Sequence, residues 1–197
     1  MLNPVPVVMV SCKGITPGDK PNIITIAWVG TVCSDPPMLS ISVRKSRFSH
    51  SLISSSGEFC VNLTTTALLR STDFCGVKSG RDVDKFEACS LTPLKVDGLY
   101  YSPGIAESPL IIGCKLKKTL ELGSHDMFIG EVISVMADES LYEDDRFCLD
   151  KAGLIAFNHG EYFPLKRDKI GFFGFSVASP AATERRMGNA PAKDSRD

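Results

Sequence analysis

Short runs of β-favouring residues, separated by turn-forming residues, dominate the first two thirds of the chain and limit the folds that it can adopt. Each run is rich in valine, isoleucine, threonine or aromatic residues, which suit a half-buried strand. The runs are residues 5–10, 23–31, 38–43, 58–63, 110–122 and 125–136. Asp35-Pro36-Pro37 and Leu122-Gly123-Ser124-His125 separate neighbouring runs as a turn and a hairpin loop. The pattern predicts a mainly β protein, either a barrel or a sandwich.

The segments that could form helices are few and short. Residues 46–55 and 67–75 fit two of them, the second beginning at one of the threonines at positions 64–66. A third is predicted around residues 82–89. After residue 177 the chain becomes small, polar and proline-containing, a composition that cannot offset the entropy of ordering it. We therefore expect one domain over residues 1–177 and a disordered tail over residues 178–197.

Composition excludes several classes of protein. With 43% hydrophobic residues, a chain of 197 residues can bury a core without disulfides. A formal net charge of -1 indicates neither nucleic acid nor an anionic membrane as a partner. The seven cysteines contain no Cys-x-x-Cys pair, which argues against a zinc ribbon and favours a reducing compartment. Without a membrane span or a good signal peptide, the chain is expected to be soluble and cytoplasmic.

A basic turn follows the predicted strand at residues 38–43. It reads Arg44-Lys45-Ser46-Arg47 and leads through Ser49 and His50 into the first predicted helix. One interpretation is a solvated turn with ordinary surface cations. The other is a phosphate clamp, where cations and the free N-H groups of a helix N-terminus converge on one anion. The residues alone leave both interpretations open.

Several stretches, taken in order, resemble the flavin reductase-like family, which includes flavoredoxin and has the FMN-binding split β-barrel fold. They are residues 22–28, 31–37, 42–53, 56–62, 79–86, 123–125 and 128–132. The resemblance implies a homodimeric split barrel with a few short peripheral helices and one FMN per subunit. It also implies an enzyme that transfers hydride from NADH or NADPH to flavin, or passes electrons to a redox protein.

The resemblance assigns the basic turn to the flavin phosphate, through Arg44, Lys45, Ser49 and His50, whereas Arg47 could point to solvent. It implies that the flavin ring contacts residues within and just after the second β run. These are Thr25, Trp28, Thr31, Val32, Cys33 and Ser34. Core packing is the alternative for Trp28, and strand packing for Thr31. A redox role for the Cys33 thiol is disfavoured because the sequence places no cation beside it.

Further candidates come from polar matches later in the chain. Ser79, Gly80 and Lys85 belong to the stretch SGRDVDKF, in which Ser79 and Gly80 permit close backbone approach and Arg81 and Lys85 could contact phosphate or a nicotinamide dinucleotide. The other interpretation is a short helix capped by Asp82. Asn62 lies at the end of an apolar run. Its amide could contact a ligand, or it could be satisfied by hydrogen bonds within a turn.

His125 is the candidate catalytic residue, because the resemblance places it where a nicotinamide would approach the flavin. The other interpretation is a loop histidine bonded to the backbone. The three histidines show no metal-ligand spacing, so no metal site is predicted. The alternatives for function are a non-catalytic flavin carrier or redox sensor and a pyridoxamine-phosphate oxidase-like activity.

Overall fold

The structure is a computed structural model that describes residues 2–187. The described residues fall into two compact units, of which the first ends at Leu165 and the second begins at Lys166. The strands are β1 (Val5–Pro6), β2 (Val8–Cys12), β3 (Asn22–Ile26), β4 (Val29–Ser34), β5 (Pro37–Arg44), β6 (Glu58–Leu63), β7 (Pro93–Leu94), β8 (Gly104–Ile105), β9 (Leu110–Glu121), β10 (His125–Ala137), β11 (Tyr142–Glu143), β12 (Arg146–Phe147), β13 (Ile155–Asn158) and β14 (Glu161–Pro164). The helices are α1 (Phe48–Ser56), α2 (Leu69–Val77), α3 (Lys85–Ala88) and α4 (Pro180–Met187). Short 3-10 turns lie at Glu139–Leu141, Leu149–Ala152 and Phe175–Val177.

The first unit is built on one large antiparallel sheet. Its strand order is β3-β2-β6-β9-β10-β5-β4, so β3 and β4 form the two edges. A smaller sheet of β1, β13 and β14 and two short ribbons complete the β structure of residues 2–187. The prediction of a mainly β protein with few short helices is confirmed.

The main core lies on the inner face of the large sheet. Leu39, Ile41 and Val43 alternate along β5 and are buried with Phe59 and Phe128. Helix α1 covers this cluster with two residues of its apolar face, Leu52 and Ile53. Because strand side chains alternate, Arg44 follows the last inward-facing residue of β5 at the rim of the sheet.

Two predicted strands are each divided in the structure. Residues 5–10 become β1 and β2 because β1 pairs with β13 in the small sheet, whereas β2 pairs with β3 and β6. Residues 23–31 become β3 and β4, which lie at opposite edges of the large sheet. Both breaks depend on distant strands, which a local pattern does not reveal.

The helix starts differ from the sequence prediction in detail. Helix α2 begins after Leu68, which has no side-chain capping bond, while Thr65 Oγ1 accepts from the Leu68 N-H at 3.3 Å one turn earlier. Helix α3 is capped by Asp84 rather than Asp82, since the Asp84 carboxylate accepts from the Glu87 N-H at 3.3 Å.

The second unit begins at Lys166, and the predicted domain boundary at residue 177 lies within it. Helix α4 occupies residues 180–187 of the predicted tail. Residues 188–197 of that predicted tail lie outside the described residues. Over residues 2–187, none of the helices has the length and hydropathy needed to cross a membrane.

Candidate functional site

The turn between β5 and α1 brings cations to a helix N-terminus. Arg47 is the N-cap of α1 and has no side-chain capping bond, and the first turn of α1 contains no acidic residue. The helix dipole and the N-H groups of that first turn are therefore available to an anion.

This N-terminus opens onto a cavity of about 280 Å³, which we call the anion pocket. Five cationic residues line it, and none of the lining residues that the structure describes is acidic. The cations are Arg44, Arg47, Lys78, Arg81 and Lys85. The remaining residues of its wall are Asn22, Ile24, Ser46, Phe48, Ser49, Cys75, Ser79 and Gly80. Such a charge balance suits a phosphate, which carries about two negative charges.

Lys85 is the buried cation of the anion pocket, with 3% of its surface exposed. Its Nζ donates to the Ile23 carbonyl at 2.6 Å and to the Cys75 carbonyl at 2.8 Å. Burial lowers the pKa of Lys85, and the nearby Arg47 adds to that lowering. The two carbonyl bonds hold Lys85 in the pocket wall before any anion binds. A bound anion would then stabilise its charged ammonium.

Asn22 and Gly80 meet in the wall of the anion pocket. The buried Asn22 amide donates to Ser49 Oγ at 2.8 Å, while Asn22 Oδ1 has no protein partner among the described residues. A Cβ on residue 80 would overlap Asn22 Oδ1, so only glycine permits this approach. Arg81 donates to the Ser46 carbonyl at 3.2 Å and lies over the Phe48 ring, which holds its guanidinium at the pocket rim.

A second cavity, of about 160 Å³, adjoins the first, and we call it the Trp28 pocket. It shares Ile24, Arg44 and Arg47 with the anion pocket. The rest of its wall is Thr25, Ile26, Ala27, Trp28, Ser42, Val43 and His125. The two cavities are therefore adjacent, and together we call them the cleft. The anion pocket is its polar end, and the Trp28 pocket is its end lined by rings and strand residues.

Trp28 and His125 form the aromatic side of the Trp28 pocket. Their ring centroids lie 4.6 Å apart with an interplanar angle of 42°. His125 pairs with Arg44 across β10 and β5, and its Nδ1 lies 2.9 Å from Ser124 Oγ. Burial and then the charge of Arg44 lower the pKa of His125, so the ring is neutral at neutral pH. Trp28 remains half exposed, which leaves its face open to a ligand.

The structure brings together eight of the residues singled out from the sequence. Those in the anion pocket are Arg44, Ser49, Ser79, Gly80 and Lys85. Those in the Trp28 pocket, besides Arg44, are Thr25, Trp28 and His125. Thr25 Oγ1 also donates to the Thr72 carbonyl, which fixes the end of β3 against α2.

Seven other candidates do not line either pocket. Four of them, Thr31, Val32, Cys33 and Ser34, lie on the edge strand β4, and of these four only Cys33 is partly buried. The Cys33 thiol contacts its own turn, at 3.4 Å from the Asp35 carbonyl. Lys45 Nζ pairs with Glu121 at 2.7 Å and with Asp126 at 3.5 Å, because it follows Arg44 and points to the opposite side.

His50 and Asn62 have structural partners instead. His50 Nε2 lies 2.8 Å from Asp126 Oδ2, and its ring packs on Phe128. The Asn62 amide nitrogen donates to the Met9 carbonyl and Ser11 Oγ, both at 2.9 Å. Asn62 Oδ1 accepts from the Ile105 N-H at 2.8 Å, so this buried amide is satisfied within the fold.

The structure adds residues that the sequence reasoning did not include as site residues. Asn22 and Lys78 line the anion pocket, as does Arg81, which the sequence had indicated as a possible phosphate contact. Arg47, assigned to solvent as a possibility, lines both pockets. Lys78 and Arg81 flank the Ser79-Gly80 pair, so the basic character of that stretch was a usable signal. Asn22 begins a strand, and no local pattern distinguishes it from an ordinary strand-starting residue.

The chain belongs to the flavin reductase-like family, because the model of the flavin reductase like domain matches residues 1–166. The match covers both pockets and nearly coincides with the first structural unit. The prediction of a split β-barrel of this family is confirmed. No group of three or more metal-ligating side chains is found within residues 2–187.

A solved structure of flavoredoxin from Desulfovibrio vulgaris resembles the chain closely. It is 30% identical, has a TM-score of 0.81, and is matched over 91% of this chain and 95% of that one. An uncharacterized protein of Archaeoglobus fulgidus is 35% identical over 117 residues, which are 59% of this chain and 66% of that protein. A high molecular weight rubredoxin of Moorella thermoacetica is 31% identical over 117 residues, covering 58% of this chain and 49% of that protein.

Proposed function

We propose that the protein is an FMN-binding oxidoreductase of the flavin reductase type. The observation that carries this proposal is the pair of adjacent pockets, which share Ile24, Arg44 and Arg47. Five cations and the α1 N-terminus suit a phosphate at one end, and the Trp28 and His125 rings suit a flat ring at the other. Membership of the flavin reductase-like family supports the same ligand. FMN combines these two chemistries in one molecule.

The residues of the cleft would have separate tasks. Arg44, Arg47 and Lys85 would hold the phosphate, and Gly80 would let the backbone approach it. FMN, when bound, supplies a ring that accepts a hydride and releases electrons singly. His125 and Trp28 would orient a nicotinamide at the open side of the cleft. The lowered pKa of His125 favours its neutral ring, so we propose that it chiefly stacks on the nicotinamide and hydrogen-bonds to it.

The source and destination of electrons are part of the proposal. We propose NADH or NADPH as the hydride donor and free flavin as one acceptor. A redox protein is the other possible partner, and the similarity to a flavoredoxin and a rubredoxin supports it. The alternative to an enzyme is a flavin carrier or redox sensor that binds FMN without turnover.

An anaerobic absorbance experiment separates these possibilities. Purified protein is titrated with FMN, and NADH or NADPH is then added. Bleaching of the flavin bands at a catalytic rate is the expected result, and the faster nucleotide identifies the donor. Bleaching by dithionite alone would instead support a protein donor or a carrier. If FMN shows no saturable binding, the proposal is wrong.

A further inference from the structure

The segment between Cys75 and Cys89 carries most of the phosphate-facing wall. Cys75 lies in α2 and Cys89 follows α3, so residues 76–88 form a chain segment enclosed by two thiols. That segment contributes three of the five cations of the anion pocket, together with the Ser79-Gly80 pair. The cations are Lys78, Arg81 and Lys85. A covalent link between the two cysteines would therefore close a loop around this wall.

The two sulfur atoms already face each other. Cys75 Sγ and Cys89 Sγ lie 4.0 Å apart, and both residues are free cysteines. A disulfide needs an S–S separation of about 2.0 Å, so the two sulfur atoms must approach each other by about 2 Å. Both residues belong to one apolar cluster with Phe74 and Phe86, and this cluster fixes the two thiols relative to each other.

Both cysteines are hydrogen-bonded to Lys85, the buried cation of the anion pocket. The Cys75 carbonyl accepts from Lys85 Nζ at 2.8 Å, and the Cys89 N-H donates to the Lys85 carbonyl at 3.1 Å. Lys85 is thus bonded through its side chain to one cysteine and through its backbone to the other. A change in the spacing of the two cysteines would therefore move Lys85, which lines the anion pocket.

We propose that Cys75 and Cys89 form a reversible disulfide that closes residues 76–88 and tightens anion binding in the anion pocket. The disulfide itself does not depend on the proposed function, whereas its effect on FMN rests on that function. Tightening is expected because a closed loop loses less conformational freedom when it orders around a ligand.

A peroxide, with hydrogen peroxide as the simplest, is the oxidant in this proposal. The Cys89 thiolate attacks one peroxide oxygen, the O–O bond breaks, and Cys89 becomes a sulfenic acid as hydroxide leaves. The Cys75 sulfur then attacks the Cys89 sulfur, the S–O bond breaks, and the departing hydroxide takes a proton. In total, two thiols are oxidised and one peroxide becomes two waters.

The order of the two steps follows from burial. Cys89 is partly exposed and can meet peroxide, whereas Cys75 is fully buried. Burial raises the pKa of the Cys75 thiol to about 12, which makes it a poor first nucleophile. Cys75 is therefore the resolving thiol, and we expect oxidation to develop over minutes to hours.

The disulfide is tested on full-length protein treated with hydrogen peroxide and then alkylated under denaturing conditions. Mass spectrometry of peptides should show Cys75 and Cys89 joined and lighter by two hydrogen atoms, with the free thiols restored by dithiothreitol. C89A should lose this product, and C148S should retain it, since Cys148 is also partly exposed but lies outside the pair. Two alkylated thiols after peroxide treatment would overturn the proposal.

Anion affinity is measured on the same samples. Oxidised protein should bind FMN about threefold or more tightly than reduced protein, and C89A should show no change with oxidation. Inorganic pyrophosphate is titrated in parallel as a probe that needs no flavin ring. If pyrophosphate responds and FMN does not bind, the proposed function fails while this inference stands. A disulfide that leaves the affinity for both ligands unchanged would refute the coupling.

Discussion

Adjacent cations of the basic turn have different surroundings. Arg44 lines both pockets, whereas Lys45, one residue later, pairs with Glu121 and Asp126 on the other side of the sheet. The sequence indicates a cationic cluster, but the side that each member faces depends on where β5 ends. The pairing of β5 with β10 sets that point, and it involves residues about eighty positions away.

This difference predicts unequal effects of two matched substitutions. Arg44→Gln should weaken FMN binding by roughly tenfold to a hundredfold, since a charge-assisted bond to phosphate contributes about 1.5–3 kcal/mol. Lys45→Gln should change the dissociation constant by less than about threefold, because Lys45 lines neither pocket. Fluorescence titration with FMN provides both values. Equal losses for the two variants would contradict the assignment of Arg44 to the pocket.

Gly80 provides a second prediction about a single residue. In Gly80→Ala, the new methyl group would overlap Asn22 Oδ1 and displace the wall of the anion pocket. We expect weaker FMN binding by about tenfold, with a cost of roughly 1–3 kcal/mol in the free energy of unfolding. Gly18→Ala is the control, because no atom lies within 4 Å of the added Cβ at that exposed position. Calorimetry and thermal unfolding test both variants, and an unchanged affinity in Gly80→Ala would count against the close approach.

At the scale of elements, the strongest sequence patterns identify the correct structures. The paired runs that became β9 and β10 form a hairpin, and Gly123 in its loop has a positive φ of 88°, which glycine adopts readily. The hairpin of β13 and β14 was missed, because its strands have only four residues each. Strands this short are stabilised by the strands beside them, which a local sequence pattern does not identify.

A buried carboxylate connects one strand to a distant loop. Glu58 in β6 is 4% exposed and accepts from the N-H groups of Tyr100, Tyr101 and Ser102 at 2.8–3.3 Å. Glu58→Gln retains the size of the side chain but loses the charge that strengthens these bonds. We expect a loss of about 1.5–3 kcal/mol in the free energy of unfolding, measured by urea denaturation.

The exposed Glu107 is the control for this substitution. It accepts from the Thr92 N-H at 3.0 Å, a bond of the same kind in contact with solvent. Glu107→Gln should change the free energy of unfolding by less than about 0.5 kcal/mol. If both variants lose the same stability, burial of Glu58 is not the source of its effect.

At the scale of the whole molecule, the ordered set of family motifs was more informative than composition. Net charge and cysteine spacing excluded several classes of protein, but they did not identify a flavin site. The resemblance implies that residues 31–34 contact the flavin. In a single subunit they lie on the edge strand β4 and line neither pocket. We propose that a second subunit covers this edge, as the predicted homodimer requires.

The proposed homodimer predicts an effect of charge on the edge strand. Val32 is 50% exposed on β4, so Val32→Glu places a carboxylate on the surface that a partner would bury. Light scattering coupled to gel filtration should show a dimer for the wild type and a monomer for this variant. Ile15→Glu, at a loop position of similar exposure, should leave the mass unchanged. A monomeric wild type would refute the homodimer.

The shared wall of the two pockets has a thermodynamic consequence. The charge of Arg44 contributes to the lowered pKa of His125, and Arg44 also faces the anion pocket. An anion that offsets the charge of Arg44 must therefore raise the pKa of His125 toward its ordinary value. By linkage, protonation of His125 must strengthen anion binding by the same factor. Ligand capture at one end of the cleft and proton uptake at the other are thus two expressions of a single coupling free energy.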